Sequence, residues 1–277
     1  MRNLWFITNP QSGSATQEKC AALEAVFEER GLALAGRTGF PADSIPDSAT
    51  LDAAGVDTVV LFAGDGTINA ALCALADWSG AFLILPGGTM NMLAKMLHGD
   101  ADPATIVHAA HGEARRVALP YVAAGPQRAF VGLIIGPAAH WGRAREAARA
   151  GRIARLAGAL RNAWRRTFDR GIRLRGIAEL DGRYQAIFVA PTDGALQVNA
   201  IDARDWGAIA ELGWNWLTGD WVAARAVTQR EAAQIEPYSS RPVLALFDGE
   251  PVTLAPGTIV RSDATRPMFL ATAKAAA

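Results

Sequence analysis

The sequence contains only two cysteines, Cys20 and Cys73, among its 277 residues. Each lies in an apolar stretch with helical spacing, which favours core thiols over a disulfide or a cysteine metal site. Lysine plus arginine and aspartate plus glutamate number 27 each, and this balance does not indicate a nucleic-acid-binding protein. No apolar run approaches the roughly 18 residues that span a bilayer, and the run near the amino terminus is too short for a signal peptide. We therefore expect a soluble, cytoplasmic protein that does not bind nucleic acid.

Residues 1–118 alternate short apolar stretches with stretches of helical spacing, which indicates βαβ units around a parallel sheet. We predict strands at residues 4–8, 32–35, 57–62 and 81–85. We predict helices at residues 16–30, 47–54, 67–75 and 92–97, and the start of another at Asp102-Pro103. The predicted first domain thus spans residues 1–118 and belongs to the α/β class.

The remainder of the chain is dominated by strand signals. We predict strands at residues 117–122, 129–135, 172–180, 184–189, 196–201, 243–247, 257–260 and 268–270. The Asp181-Gly182 pair between two of these stretches is a strong hairpin signal. The pattern predicts a mainly antiparallel β-sandwich domain over residues 119–260 with one helical insertion.

Three polar loops that contain glycine follow predicted strands, at residues 9–14, 64–69 and 86–91. Ligands of parallel sheets bind at the carboxyl ends of the strands, so these loops are expected to meet. The second loop reads Gly-Asp-Gly-Thr-Ile-Asn, and its glycines and helix-start amides suit a phosphate group. A carboxylate repels phosphate unless a cation bridges the two, so Asp65 indicates a metal–nucleotide complex such as Mg-ATP. The alternative is a tight Asp-Gly turn without a ligand.

Four motifs, taken in order, resemble those of the diacylglycerol kinase catalytic-domain family, which includes bacterial diacylglycerol kinases and sphingosine kinases. Residues 9–13 (Asn-Pro-Gln-Ser-Gly) resemble its Asn-Pro-x-Ser-Gly. Residues 63–67 (Ala-Gly-Asp-Gly-Thr) resemble its Gly-Gly-Asp-Gly-Thr, with Ala63 replacing the first glycine. Residues 86–94 (Pro-Gly-Gly-Thr-Met-Asn-Met-Leu-Ala) are similar to its Pro-x-Gly-Thr-x-Asn-x-x-Ala, and residues 248–250 to its Asp-Gly-Glu. No Gly-x-x-x-x-Gly-Lys-Ser/Thr pattern occurs, which excludes a P-loop enzyme.

The resemblance implies a nucleotide-binding α/β domain, a β-sandwich after it, and ATP in the cleft between them. It also implies that residues 261–277 pack back onto the first domain. Glu250 would be the base for the acceptor hydroxyl, and Asp65 would organise Mg²⁺ with ATP. By residue match, the nucleotide site would comprise Asn9, Pro10, Ser12, Gly13, Thr38, Gly64, Asp65, Gly66, Thr67, Asn69, Gly88, Thr89 and Asn91.

The chain departs from the family pattern in two places. Family members carry an acid after the strand predicted at residues 129–135, where this chain has Ala138 and then His140. His140 is a candidate replacement because imidazole can act as a base near neutral pH, although a lone histidine is more often structural. The family also has an aspartate-rich segment that binds a structural Mg²⁺. This chain keeps only Asp193 of that segment and has Gln197 in place of a second acid, which predicts only a weak metal site.

A basic segment at residues 143–175 contains eleven arginines and two acids, with apolar residues at helical spacing. We predict a helical insertion over residues 143–170. One interpretation is peripheral contact with an anionic membrane, to which each arginine contributes about 1 kcal/mol. A second is an apolar stripe packed on the β domain. A third, weaker interpretation is a nucleic-acid patch, which the lack of interleaved aromatics other than Trp164 and Phe168 disfavours. Half of the eight tryptophans follow this segment: Trp206, Trp214, Trp216 and Trp221. They are expected to line an acyl-chain entry, to sit at a membrane interface or to pack in a core.

These patterns predict an ATP- and Mg²⁺-dependent lipid kinase that transfers the γ-phosphate to a hydroxyl of diacylglycerol, a sphingoid base or a related lipid. Its expected partners are the lipid and the inner face of the membrane, and a homodimer is compatible with the sequence. Two alternatives stay open. One is a kinase of a soluble acceptor on the related NAD-kinase-like fold. The other is a non-catalytic nucleotide- or lipid-binding protein, which the missing acid near Ala138 motivates.

Overall fold

The computed structural model describes residues 1–136, 171–202 and 227–273. In chain order, its helices are α1 (Gln17–Glu29), α2 (Ser48–Ala53), α3 (Asp65–Ala74), α4 (Met92–His98) and α5 (Pro103–Gly112). Its strands are β1 (Asn3–Thr8), β2 (Ala33–Gly39), β3 (Thr58–Ala63), β4 (Ala81–Pro86), β5 (Arg115–Val117), β6 (Pro120–Ala124), β7 (Gln127–Ala129), β8 (Leu133–Ile135), β9 (Arg173–Arg175), β10 (Ala186–Thr192), β11 (Ala195–Ile201), β12 (Val227–Ala232), β13 (Gln234–Tyr238), β14 (Val243–Phe247), β15 (Glu250–Leu254), β16 (Val260–Ala264) and β17 (Met268–Ala271). Within the described residues, no helix has both the length and the apolar character needed to cross a membrane.

The first of two compact units comprises Met1–Leu119 and Ala264–Ala277. Its six-stranded sheet has the order β2-β1-β3-β4-β17-β5. Strands β1 to β4 are parallel to their neighbours, whereas β17 is parallel to β4 and antiparallel to β5. Every residue of β3 is buried, as in strands of parallel sheets that are covered on both faces. This arrangement confirms the predicted α/β class.

Side-chain caps fix where the helices of this unit begin. The Thr16 hydroxyl accepts a hydrogen bond from the backbone N–H of Lys19, 3.4 Å away, at the start of α1. One carboxylate oxygen of Asp102 accepts from the backbone N–H groups of Ala104 and Thr105 at 3.0 and 3.1 Å. Pro103 occupies the first position of α5, where its missing N–H costs no hydrogen bond. The helix start predicted at Asp102-Pro103 is therefore confirmed.

The second unit, Pro120–Asp263, contains two antiparallel sheets. One has the order β12-β11-β10-β8-β14-β15 and the other the order β7-β6-β16-β13-β9. Apolar side chains from both sheets form one core, for example Leu133 and Val198 from the first sheet with Ile235 and Val260 from the second. The predicted β-sandwich is confirmed.

Two predicted strands of this region are each divided in the structure. The stretch 117–122 breaks before Pro120, so that β5 joins the first unit and β6 the second. At this break, Leu119 exchanges two 2.9 Å hydrogen bonds with Thr265 instead of extending a strand ladder. The stretch 129–135 breaks at residues 130–132, whose N–H groups bind the Asp248 carboxylate.

The hairpin predicted around Asp181-Gly182 is wrong. β9 pairs with β13, and β10 pairs with β8 and β11. Between the two stretches that flank the predicted turn, the described residues form a single isolated bridge, which joins Ile172 to Tyr184. Glu179 has a positive φ of 65°, which interrupts the extended backbone before the Asp-Gly pair.

Candidate functional site

The ends of β1, β3 and β4 bring the three glycine-bearing loops together. The last residue of β1 pairs with the fifth of β3, and the last residues of β3 and β4 pair with each other. The loops at residues 9–14, 64–69 and 86–91 therefore leave neighbouring parallel strands at one sheet edge. Hydrogen bonds join them directly, and we call these joined loops the three-loop cradle.

Two serines of the first loop connect it to the other two. The Ser12 hydroxyl accepts a 3.0 Å hydrogen bond from the backbone N–H of Gly64. Ser14 donates from its backbone N–H to the Gly87 carbonyl at 3.1 Å and from its hydroxyl to the Gly88 carbonyl at 3.2 Å. Ser14 was not among the predicted site residues. Its signal in the sequence is a second hydroxyl two residues after Ser12 in the same glycine-containing loop.

Asn9 shapes the first loop and ties it to α3. Its side-chain amide donates to the Thr67 hydroxyl at 2.8 Å, and its side-chain oxygen accepts from the Gln11 backbone N–H at 2.9 Å. The second bond is a local Asx turn, which is why asparagine suits this position after a strand. The backbone oxygen of Asn9 also accepts from Ser12, 2.9 Å away.

Glycines allow the backbones of the second and third loops to touch. A Cβ atom added to Gly88 would lie 2.7 Å from the Gly64 Cα, and one added to Gly87 would lie 2.5 Å from the Ala63 nitrogen. Both contacts are with backbone atoms, which cannot rotate away. Close approach, rather than an unusual backbone conformation, is therefore the reason for glycine at these two positions.

Asp65 is a hydrogen-bond acceptor within the three-loop cradle. Its Oδ1 accepts from the Met92 N–H at 2.9 Å and its Oδ2 from the Asn91 N–H at 3.1 Å. Asn91 has a left-handed backbone (φ 52°), and its side chain bonds both the N–H and the carbonyl of Gly88. The carboxylate therefore holds the start of α4 while lying in the first turn of α3.

The first turn of α3 directs backbone N–H groups toward the same edge. Gly64 is the N-cap, and Asp65, Gly66 and Thr67 form the first positions of the helix. The leading N–H groups of any α-helix have no carbonyl partner within that helix, and they carry partial positive charge. The three-loop cradle thus combines hydroxyls, amides and one carboxylate, a set that suits a phosphate bound together with a cation.

Thr38 lies one strand away from the three-loop cradle. It is buried on β2, and its hydroxyl accepts a 2.9 Å hydrogen bond from the Trp5 indole N–H. Trp5 covers Gly36, where an added Cβ would fall 2.4 Å from the indole ring. Trp5 was not predicted as a site residue because it lies within a predicted strand.

The other predicted nucleotide residues are on or beside the loops. Pro10, Gly13 and Thr89 are exposed, and the Gly13 Cα faces the Thr89 hydroxyl, 3.8 Å from where a Cβ would be. Asn69 is in the second turn of α3, where its side-chain oxygen accepts from the Cys73 thiol at 3.5 Å.

Metal-ligating side chains do not cluster in the described part of the chain, where no group of three His, Cys, Asp or Glu residues could hold an ion. Asp193 is exposed in the turn between β10 and β11, beside Gly194 with a φ of 77°. Gln197 lies on β11 and supplies no second carboxylate.

Glu250 follows a two-residue turn between β14 and β15. Phe247 pairs with Glu250 across this turn, and Asp248 and Gly249 have positive φ values of 48° and 91°. Asp-Gly with both residues in this conformation is typical of a type I′ hairpin turn. The Glu250 side chain is exposed, whereas Phe247 is buried in the sandwich core.

The Asp248 carboxylate accepts three backbone hydrogen bonds from residues 130–132. Oδ2 accepts from Phe130 at 2.8 Å, and Oδ1 accepts from Val131 and Gly132 at 2.9 Å each. The Asp248 N–H in turn donates to the Gly132 carbonyl at 3.0 Å. The aspartate of the Asp-Gly-Glu motif is therefore part of the fold of the second unit.

Several predicted residues lie outside the described residues. These are Ala138, His140, the insertion at 143–170 and the four tryptophans Trp206, Trp214, Trp216 and Trp221. The described end of the basic segment contains Arg173 and Arg175, both exposed on β9. The Arg175 guanidinium lies 3.6 Å from the centroid of the Tyr238 ring, a cation–π contact.

His98 is a buried titratable group at the end of α4. Its Nδ1 lies 2.9 Å from the Thr272 hydroxyl, which follows β17. Burial lowers the pKa of His98 from 6.5 to about 4, because the charged imidazolium loses its hydration. The histidine is therefore neutral at physiological pH and links α4 to the carboxyl-terminal segment of the first unit.

Comparisons with known proteins match both the motifs and the fold. The family model of the diacylglycerol kinase catalytic domain matches residues 3–122. No curated protein matches the chain. Among solved structures, a diacylglycerol kinase from Bacillus anthracis str. Sterne has a TM-score of 0.65 at 14% sequence identity, covering 98% of this chain and 97% of the other. A second structure from that organism, provisionally assigned the same activity, has a TM-score of 0.67 at 16% identity with the same coverage.

At these identities the solved structures establish the shared fold alone. The predicted resemblance is confirmed: residues 3–122 match the model of the diacylglycerol kinase catalytic domain, and the chain shares the fold of these bacterial structures.

Proposed function

We propose that this protein is an ATP-dependent lipid kinase that transfers the γ-phosphate to a hydroxyl of diacylglycerol or a related lipid. The observation that carries this proposal is the three-loop cradle, in which Ser12, Ser14 and Asp65 join the family's motifs at one sheet edge. The match of residues 3–122 to a kinase catalytic domain supports the same reaction class.

The three-loop cradle would bind the phosphates of ATP through neutral groups. Hydroxyls and the first N–H groups of α3 bind phosphate without the fixed positive charge of a P-loop lysine. The nucleotide-binding set predicted from the sequence would therefore act through the hydroxyls of Ser12, Thr67 and Thr89 and through the backbone N–H groups of Asp65 and Gly66. Thr38 on β2 would extend the site beyond the loops.

The donor set of the three-loop cradle fits a Mg²⁺ ion that arrives with the nucleotide. Asp65 is its one carboxylate, and each of its oxygens accepts one amide N–H, which leaves lone pairs for a further ligand. Mg²⁺ is commonly held by one or two carboxylates together with substrate phosphates and water. Bound in this way, Mg²⁺ would neutralise charge on the phosphates.

Glu250 is the proposed general base for the acceptor hydroxyl. Its carboxylate is exposed at the end of a tight hairpin, so it can accept a proton from a bound substrate. The lipid substrate must be taken from a membrane, and we propose peripheral contact at the inner membrane face through the basic segment at 143–175. Exposed Arg173 and Arg175 support that contact because arginines near an anionic surface contribute about 1 kcal/mol each.

The decisive experiment incubates purified protein with γ-labelled ATP, Mg²⁺ and a panel of lipid extracts. We expect label in an organic-phase lipid. Label in a soluble product would instead identify a kinase of a soluble acceptor, and no labelled product would indicate a non-catalytic binding protein.

Two aspartate variants make the same experiment specific for the three-loop cradle. Asp65→Asn turns an oxygen that accepts from Asn91 or Met92 into an amide that donates, and is expected to abolish transfer. Asp77→Asn removes the same charge from an exposed position after α3 and is expected to retain wild-type transfer. Full activity in the Asp65→Asn variant would contradict the assignment of the site.

A further inference from the structure

The Asp-Gly-Glu motif contains two acids with different environments. Glu250 is exposed at the first position of β15. Asp248, two residues earlier, directs its carboxylate onto three consecutive backbone N–H groups at residues 130–132, all within 2.9 Å. The two side chains of one motif are therefore suited to different tasks.

Three N–H donors require an acceptor with the capacity of a carboxylate. Its two oxygens provide about four lone-pair positions, of which Asp248 uses three for these bonds. An asparagine could keep the two bonds of Oδ1, but its amide nitrogen would then face the Phe130 N–H, donor against donor. Bonds from N–H groups to an ionised acceptor are also stronger than those to a neutral one.

The same residue sets the geometry of the turn. Asp248 adopts the left-handed conformation that its short polar side chain tolerates, and its N–H donates to Gly132. These four hydrogen bonds hold the two-residue turn against the segment between β7 and β8. Because only Gly249 separates Asp248 from Glu250, the position of the Glu250 backbone follows from this attachment.

We propose that Asp248 is a positioning residue for Glu250 and does not itself exchange a proton with substrate. This inference rests on the proposed function, in which Glu250 is the base. It also assigns a role to residues 130–132, which lead directly into β8: their N–H groups hold the Asp248 carboxylate. Loss of the attachment is expected to leave Glu250 present but misplaced.

The kinetic test compares Asp248→Asn, Glu250→Gln and the double variant with γ-labelled ATP and diacylglycerol in mixed micelles. We expect Asp248→Asn to lower kcat by about tenfold to a hundredfold, since a displacement near 1 Å can have an effect of this size. If Asp248 acts through Glu250, the double variant should be no slower than the Glu250→Gln variant alone. Independent, multiplicative losses would overturn the proposal, because they are what general destabilisation or a separate catalytic role would produce.

The control variants separate positioning from folding. Asp248→Gly removes all three acceptor bonds while tolerating the turn conformation, and is expected to lose more activity than Asp248→Asn. Asp181→Asn removes one charge from an exposed position of the same unit and is expected to behave as wild type. Equal activity in wild type and Asp248→Gly would overturn the proposal.

Hydrogen exchange tests the attachment without relying on activity. We expect faster amide exchange at residues 130–132 and 247–250 in Asp248→Asn, with unchanged exchange in α3 and β3 of the first unit. Unchanged exchange at both segments would show that Asp248 does not hold the turn, whatever the kinetics. If wild-type protein labels no lipid, the proposed function is wrong and the positioning role falls with it.

Discussion

Replacing Gly88 with alanine tests whether close backbone contact is needed in the three-loop cradle. The new Cβ would lie 2.7 Å from the Gly64 Cα, whereas ordinary contact begins at 3.4 Å, so the loops must separate by about 0.7 Å. Gly88 is also fixed by Asn91, which bonds its N–H at 2.7 Å and its carbonyl at 3.1 Å. A shift therefore disturbs more than one contact.

The expected loss of stability is small, and the expected loss of transfer activity is larger. Overpacking costs about 1–3 kcal/mol, and the reduced freedom of the unfolded chain returns about 0.4–1 kcal/mol. The net effect is a decrease of about 1–2 kcal/mol in the free energy of unfolding. Misplacement approaching 1 Å can lower the rate of transfer by up to about 100-fold.

Gly112→Ala is the matched control. Gly112 is the exposed last residue of α5, and a Cβ there would meet nothing within 4 Å. Alanine is favoured over glycine in a helix by up to about 1 kcal/mol, so this variant should be as stable as wild type or slightly more stable.

Chemical denaturation gives the free energies of unfolding, and a fluorescent ATP analogue gives the nucleotide affinity. We expect Gly88→Ala to bind the analogue at least tenfold more weakly than Gly112→Ala. If the two variants unfold alike and bind the analogue equally, contact between the loops is not required and the geometric reasoning is refuted.

Three further predictions concern other parts of the structure. Between pH 4 and 6.5, His98 binds more protons in the unfolded chain than in the native protein, so the free energy of unfolding should fall by about 3 kcal/mol as the pH decreases through this window. Denaturation of wild type and of His98→Gln should show a smaller pH dependence in the variant. Ser14→Ala removes the hydroxyl that bonds Gly88 and should destabilise the protein by about 1 kcal/mol while weakening ATP binding, whereas unchanged binding would assign Ser14 to the fold alone. Glu250→Gln should abolish phosphate transfer and retain ATP-analogue affinity, and an equal loss of both would indicate that Glu250 is not the base.

The elements of the first unit could be predicted because their causes are local. Buried parallel strands such as β3 appear as continuous apolar runs, and helix starts such as Asp102-Pro103 depend on neighbouring residues. Loops that follow such strands must meet at one edge, so the composition of the three-loop cradle was accessible from the sequence. The bonds of Ser14 were not, since they depend on two glycines more than 70 residues away.

The second unit was harder to predict because long-range partners decide where its strands end. The break at residues 130–132 depends on Asp248, between 116 and 118 residues further along the chain. β12 was missed because it is an edge strand rich in polar residues, with the sequence Val-Thr-Gln-Arg-Glu-Ala. Charged edge strands lack the apolar alternation on which prediction depends.

The two motif aspartates have a common property that the sequence alone does not reveal. Asp65 accepts two backbone hydrogen bonds and Asp248 accepts three, and each joins segments that are distant in sequence. A carboxylate used in this way is required by the fold even without a ligand, because its removal leaves several N–H groups without an acceptor. Loss of activity on replacing either aspartate is therefore insufficient to assign a catalytic role. Such a role has to be separated from positioning by non-additivity with Glu250 and by hydrogen exchange at the segments that each aspartate joins.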